Sequence, residues 1–459
     1  MTKYDSTPSS TSTKHGERTL HIILNKDTNL LELAQKIHNH TSMMTREVII
    51  EPEWSSCEQE HILADVTEPD WTPFAQPQEE HTHTTTVAEK LFQVIGDLPM
   101  LERIHLKRLG FADSGGFPLH LLTILLIGPM RSMYLKELHV DKCRFSNVNR
   151  RTVLKCAEAI VCLSALKRVE WYEQSSNAIG YTTTSGTEKC VSPLANAILS
   201  LPALQEVELG SGEQQPMLSP TTSTSTNDAL GNFVLSSPCR DLSLRNFPFH
   251  GTSLESLARA LQCSSCQLET LQLDLGQADA AQVKTLFQAL ADNTSLHTLQ
   301  LWISYADAWQ DERCLETLAK ALKQQHSNIS TLRIFGPGRN NLQEPDATAF
   351  CKMLETNSTI TSLVLDDYNN NLLQRSQGKL APMIQFYTHL NACGRSQVLQ
   401  KMRNCSMHQW MNVLAQCGRD NASSELQNLE AVHFWLRQNP TLIITAAATA
   451  EQHCASYDC

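Results

Sequence analysis

The sequence predicts an α/β solenoid, a stack of strand–helix units sharing one parallel sheet, and three observations lead there. A six-residue phrase with aliphatic or similar side chains at its first, fourth and sixth positions recurs nine times. Its copies begin 28 residues apart at the closest (Leu268 to Leu296) and 38 apart at the widest (Leu166 to Leu204). Between copies the apolar spacing changes from that of a strand to that of a helix.

The phrase is a strand because positions i, i+3 and i+5 do not share a helical stripe, whereas i+3 and i+5 lie on one face of a strand. The copies are "LERIHL" from Leu101, "LKELHV" from Leu135, "LKRVEW" from Leu166, "LQEVEL" from Leu204 and "CRDLSL" from Cys239. They continue as "LETLQL" from Leu268, "LHTLQL" from Leu296, "ISTLRI" from Ile329 and "ITSLVL" from Ile360. The intervening segments "SLESLARALQ", "AQVKTLFQALADN", "CLETLAKALKQ" and "ATAFCKMLETN" carry apolar residues at i, i+3, i+4 and i+7, the spacing of an amphipathic helix. Asn293, Asn328 and Asn357 follow such segments, where a left-handed residue would turn the chain back toward the sheet.

These units resemble the ribonuclease-inhibitor-like class of leucine-rich repeats, most closely in "LFQALADNTSLHTLQL" and "FCKMLETNSTITSLVL". The resemblance implies a horseshoe with a concave parallel sheet, outer helices and a protein partner. The chain departs from that class three residues beyond the last strand leucine, where the class favours Asn or Cys. Cys143 conforms, but Leu109, Phe247, Ser304 and Tyr368 do not, so this position supplies no uniform hydrogen-bond ladder along the loops.

No single unit can bury its own apolar face, so neighbours must cover one another. Each buried leucine contributes roughly 1.5–3 kcal/mol. About nine repeats are expected over residues 87–380. Residues 1–18 are expected to be disordered, and 19–86 to form a flanking and capping region that ends in a loop. Within it, "TLHIIL" and "EVII" are candidate strands around a helical "NLLELAQKIHNH". Two low-complexity insertions lie at 172–190 and 211–227. A helical C-terminal cap is expected over 381–446, then a disordered tail over 447–459.

Composition narrows the function. The chain has 459 residues, 41% hydrophobic and 19% charged, enough for a sizeable core. Its formal net charge is −11 and it has no long basic run, which argues against nucleic acid. The 15 cysteines are odd in number and scattered, and the polar start "MTKYDSTPSSTSTKHGERTL" has no apolar core of a signal peptide. A reduced, cytoplasmic or nuclear protein is therefore expected, monomeric and without a membrane partner. "LHLLTILLIGPM", Leu119 to Met130, is too short to span a bilayer and reads as a buried helix.

Catalytic signatures are sparse. "CSSC" at Cys263 to Cys266 lacks a second pair. His81 and His83 lie in a polar loop without matching ligands, and "GPGRNN" at 336–341 lacks the lysine and hydroxyl of a phosphate loop. No enzyme activity, cofactor or metal is expected.

What remains is the set of strand residues between the leucines, which point away from the core. The first units mix charges, the middle ones read as acidic, and Trp302 with Phe335 form an aromatic spot beside Arg333. The candidate partner-binding residues are His105, His139, Glu170, Tyr172, Glu208, Arg245, Gln272, Gln300, Trp302, Arg333 and Phe335. The expected function is a non-enzymatic scaffold that binds a protein through this face. The alternatives are a substrate receptor of a ubiquitin ligase, given a helical segment before the repeats, and a GTPase-activating regulator, since one branch of this fold resembles such activators. The non-acidic end "TAAATAEQHCASYDC" departs from that branch.

Overall fold

Strand follows helix throughout the computed structural model, and each recurrent phrase opens a strand. The structure describes residues 18–24, 29–40, 45–52, 86–109, 117–127, 131–146, 150–173, 193–211, 229–247, 249, 253–276, 278–303, 313–323, 328–336, 344–367, 370–371, 380–396 and 413. Most of both insertions, the segment 53–85, "GPGRNN" beyond Gly336 and nearly all of the tail after 396 lie outside the described residues. So do residues 1–17 and the expected tail 447–459. The chain divides into two units, 1–256 and 257–459, with the division inside the helix Ser253–Leu261.

In the first unit the strands are β1 (Arg18–Leu24), β2 (Thr45–Pro52), β3 (Arg103–Lys107), β4 (Phe117–Pro118), β5 (Glu137–Cys143), β6 (Phe145–Ser146), β7 (Arg168–Glu173), β8 (Glu206–Ser211) and β9 (Asp241–Arg245). Seven of them pair in parallel in the order β1-β2-β3-β5-β7-β8-β9, while β4 and β6 make a separate two-stranded pair. Thus residues 18–52, with the helix Leu30–His40, repeat the strand–helix–strand arrangement and add two strands to the sheet. The second unit holds β10 (Thr270–Asp274), β11 (Thr298–Trp302), β12 (Thr331–Gly336) and β13 (Ser362–Asp367), all parallel, and a short antiparallel β14 (Asn370–Asn371). Helices Ala280–Ala289, Cys314–Leu322, Glu344–Thr356 and Leu380–Ala392 alternate with them.

The leucines do what their spacing requires. Leu296, Leu299 and Leu301 are buried, as are Leu101, Ile104 and Leu106 and their counterparts along the chain. The strands alternate half-exposed and buried positions, as in β3, β10 and β11, so one sheet face meets the helices and the other is open among the described residues. This is the α/β leucine-rich-repeat fold. The run from Leu119 forms the helix Leu119–Leu126, largely buried. Among the described residues, no helix is long and apolar enough to cross a membrane.

The asparagines turn the chain by a different means from the one expected. Positive φ among the described non-glycine residues occurs at Arg108, Lys142, Asn246 and Arg313, and not at Asn293, Asn328 or Asn357. The asparagines act through their side chains. Asn293 donates to the Leu261 carbonyl at 2.7 Å and accepts from the Leu296 N–H at 2.8 Å. Asn357 donates to the Leu322 carbonyl at 2.6 Å and accepts from the Ile360 N–H at 3.0 Å. Asn328 bonds the Thr294 carbonyl, and Asn391 reaches the Asn357 and Ile360 carbonyls at 3.0 and 2.9 Å. Each ties its own turn to backbone about one repeat earlier, and for Asn293, Asn357 and Asn391 the bond is buried, where an unpaired backbone carbonyl would be costly.

Three of the four left-handed residues belong to the other turn, at the strand ends, and the fourth, Arg313, caps the helix Cys314–Leu322. Arg108, Lys142 and Asn246 each precede a buried residue, Leu109, Cys143 and Phe247. In the second unit the buried residue comes one position sooner, as Leu275 and Ile303.

After the helix Leu380–Ala392, Arg395 donates to the Leu354 carbonyl at 2.8 Å and to the Glu355 carbonyl, with its guanidinium over the Tyr387 ring. A buried cation therefore meets the C-terminal carbonyls of the helix Glu344–Thr356, the end at which the helix dipole is negative.

Candidate functional site: the open face of the strands

All eleven candidate residues lie on strands of the open face. Nine are half-exposed, Arg333 is exposed, and His139 is the exception, only 8% exposed. Parallel register places them in rungs that run across the strands.

In the first unit one rung reads Glu47, Arg103, Glu137, Arg168, Glu206, Asp241, nearly alternating in sign. The next reads Ile49, His105, His139, Glu170, Glu208, Ser243. Cross-strand neighbours on one face stand close enough for opposite charges to pair. Arg168 bonds Glu170 through Nε at 2.9 Å and through Nη2, and reaches Glu206 at 3.1 Å. Arg245 lies 3.3 Å from Glu208. The middle strands, acidic by sequence, are thus largely neutralised by neighbouring strands.

The two histidines stack, ring centroids 4.1 Å apart and planes 3° from parallel. His139 reaches Glu170 with Nδ1 at 2.7 Å and Glu137 with Nε2 at 3.3 Å. The His139 hydrogen bond, aided by Arg168 and opposed by burial, holds the Glu170 carboxyl down to about 2. Burial and then His139 push the His105 imidazole down to about 4, against the pull of Glu47 and Glu137. His105 Nε2 is 3.1 Å from Glu47, but the directions are wrong for a hydrogen bond and the nitrogen has no such partner among the described residues. Tyr172 lies over Gly210 on β8, where an added Cβ would come within 2.8 Å of the ring.

In the second unit the rungs read Thr270, Thr298, Thr331, Ser362; then Gln272, Gln300, Arg333, Val364; then Asp274, Trp302, Phe335, Asp366. Trp302 and Phe335 stack at 5.5 Å with planes 19° apart. Asp274 turns to its own loop, its Oδ1 accepting from the Gly276 N–H at 3.0 Å.

Sequence reasoning missed Glu47, because "EVII" reads as a flanking strand; its alternation of Glu47 with Val48 was the available signal. It also missed the asparagine ties, which connect residues more than 30 positions apart. No cluster of metal-ligating residues occurs among the described residues. Cys263 is exposed and Cys266 buried, at the end of one helix.

No family model matches the chain, and no curated protein matches it. Among solved structures it is similar to the leucine-rich repeat-containing protein LegL7 from Legionella pneumophila, at 12% identity and a TM-score of 0.34, covering 80% of this chain and 90% of that one. At that distance the likeness says nothing of function, and the fold rests on the nine anchored strands themselves.

Proposed function

We propose that the chain is a non-enzymatic scaffold that binds a protein partner through the open strand face, and that its repeats belong to the ribonuclease-inhibitor-like class. What supports the class is that the nine repeat strands, spaced 28 to 38 residues apart, alternate with α-helices. What carries the binding reading is the pair Trp302 and Phe335, stacked and half-exposed on a sheet face that no described helix covers. Aromatic and arginine side chains are the types that most often anchor protein interfaces.

The candidate surface divides between the units. His105, His139, Glu170, Tyr172, Glu208 and Arg245 belong to the first, Gln272, Gln300, Trp302, Arg333 and Phe335 to the second. Capture of partners with the wild-type chain beside the double variant Trp302→Ala/Arg333→Ala tests the reading. A specific protein should be recovered by the first and lost by the second, with melting temperatures matched. Equal recovery by both would remove these residues from the interface.

A further inference from the structure

The open faces of the two units differ in what their arginines do. Arg103, Arg168 and Arg245 each stand within 4.0 Å of a carboxylate on the same sheet face. Arg333 is exposed and makes no ion pair or hydrogen bond among the described residues. Phe335 lies two residues further along the same face of β12, Gln300 stands across from Arg333, and Trp302 across from Phe335. The surrounding Thr270, Thr298, Thr331 and Gln272 bring hydrogen-bonding groups but no charge.

Resting on the reading that this face binds protein, we infer that Arg333, Trp302 and Phe335 receive an extended acidic segment of the partner. A carboxylate of that segment pairs with the Arg333 guanidinium, whose planar fork suits bidentate contact. An apolar side chain two residues away rests against the aromatic pair. The spacing follows from strand geometry: residues on one face repeat every second position, about 6.5–7 Å apart, in β12 and in an extended ligand alike. Asp274 does not compete for Arg333, because it is turned to the Gly276 N–H. Asp274 and Asp366 nevertheless share the aromatic rung, so a basic segment is the opposite outcome that the test must separate.

The test is a displayed library of random peptides sorted on the intact chain. Selected clones are titrated against wild type and against Trp302→Ala, Arg333→Ala, Arg333→Lys and Arg333→Glu, each first checked for unchanged melting. Enriched clones should carry Asp or Glu two positions from an apolar residue. Either alanine substitution should weaken them about tenfold or more, with Arg333→Lys retaining part of the affinity and Arg333→Glu none. Added salt should weaken them further. Basic clones that need Trp302 and bind Arg333→Glu better than wild type would overturn the acidic assignment and leave the face reading standing. So would clones that need Trp302 and show no charge preference. Clones indifferent to all four substitutions, or a library that yields none, would overturn both.

Discussion

The two units build the same strand–turn–helix repeat with different chemistry at two equivalent places. Three residues before the strand phrase, the first unit buries Leu98, Leu163 and Leu201, whereas the second buries Asn293 and Asn357. On the open face, the first unit carries a lattice of carboxylates, arginines and stacked histidines, and the second an aromatic pair among Thr and Gln. A repeat backbone therefore fixes where side chains stand and leaves open how a turn is tied or a face is charged. A face whose charges already satisfy one another gains little from a partner's charges, since displaced pairs must be replaced. A face with a guanidinium that has no carboxylate partner among the described residues, beside half-exposed aromatic surface, has more to gain.

The sharpest way to break this comparison is through the core that both units share. Leu299 is 1% exposed, so Leu299→Asp buries a carboxylate without a partner and should cost about 4 kcal/mol or more. Because repeats depend mainly on their neighbours, amide exchange should show protection lost first in β10 to β13 and last in β1 to β5. Uniform loss across the chain would show that the two units unfold as one.

The turns give a smaller effect. Asn357→Ala removes the bond to the Leu322 carbonyl and two or more bonds into its own turn, and should cost about 1–3 kcal/mol in denaturant unfolding. Asn328→Ala, at an exposed site, should cost less than Asn357→Ala.

Acid should separate the units next. Unfolded histidine takes up its proton near 6.5, while folded His105 does so only at about 4. The unfolded state then binds more protons between those values, so stability falls as pH drops from 6.5 to 4. Discounted for solvent screening at a half-buried site, the loss is about 1–2 kcal/mol and belongs to the first unit. Glu170 acts at lower pH: its folded value is about 2 against 4.5, so its contribution is present above 4.5 and is lost as pH falls toward 2. Unfolding midpoints between pH 7 and 4.5 should show this loss, and His105→Gln should flatten it. A wild-type slope that survives the substitution would place the titrating group elsewhere.

Much of this was legible in the sequence because leucine spacing is a local signal. The nine phrases locate β3, β5 and β7 to β13, and the helical spacing locates the helices between the later strands. The face residues followed from alternation alone. Their pairing did not: Glu170 with His139 and Arg168 with Glu206 join strands 31 and 38 residues apart, and register decides those contacts. The asparagine turns depart from the local expectation for a related reason. Asn favours left-handed backbone as a residue type, but here its carboxamide finds a carbonyl one repeat earlier, and that long-range bond outweighs the local preference.

The most direct measurement is a titration of the captured partner by calorimetry against three proteins. These are wild type, the second-unit variant Trp302→Ala/Arg333→Ala and the first-unit variant Arg168→Gln/Glu206→Gln, which removes an ion pair outside the candidate set. Affinity should fall about tenfold or more for the second-unit variant and stay within about twofold for the first-unit variant. The reverse order would contradict the account and move the binding surface to the charged face.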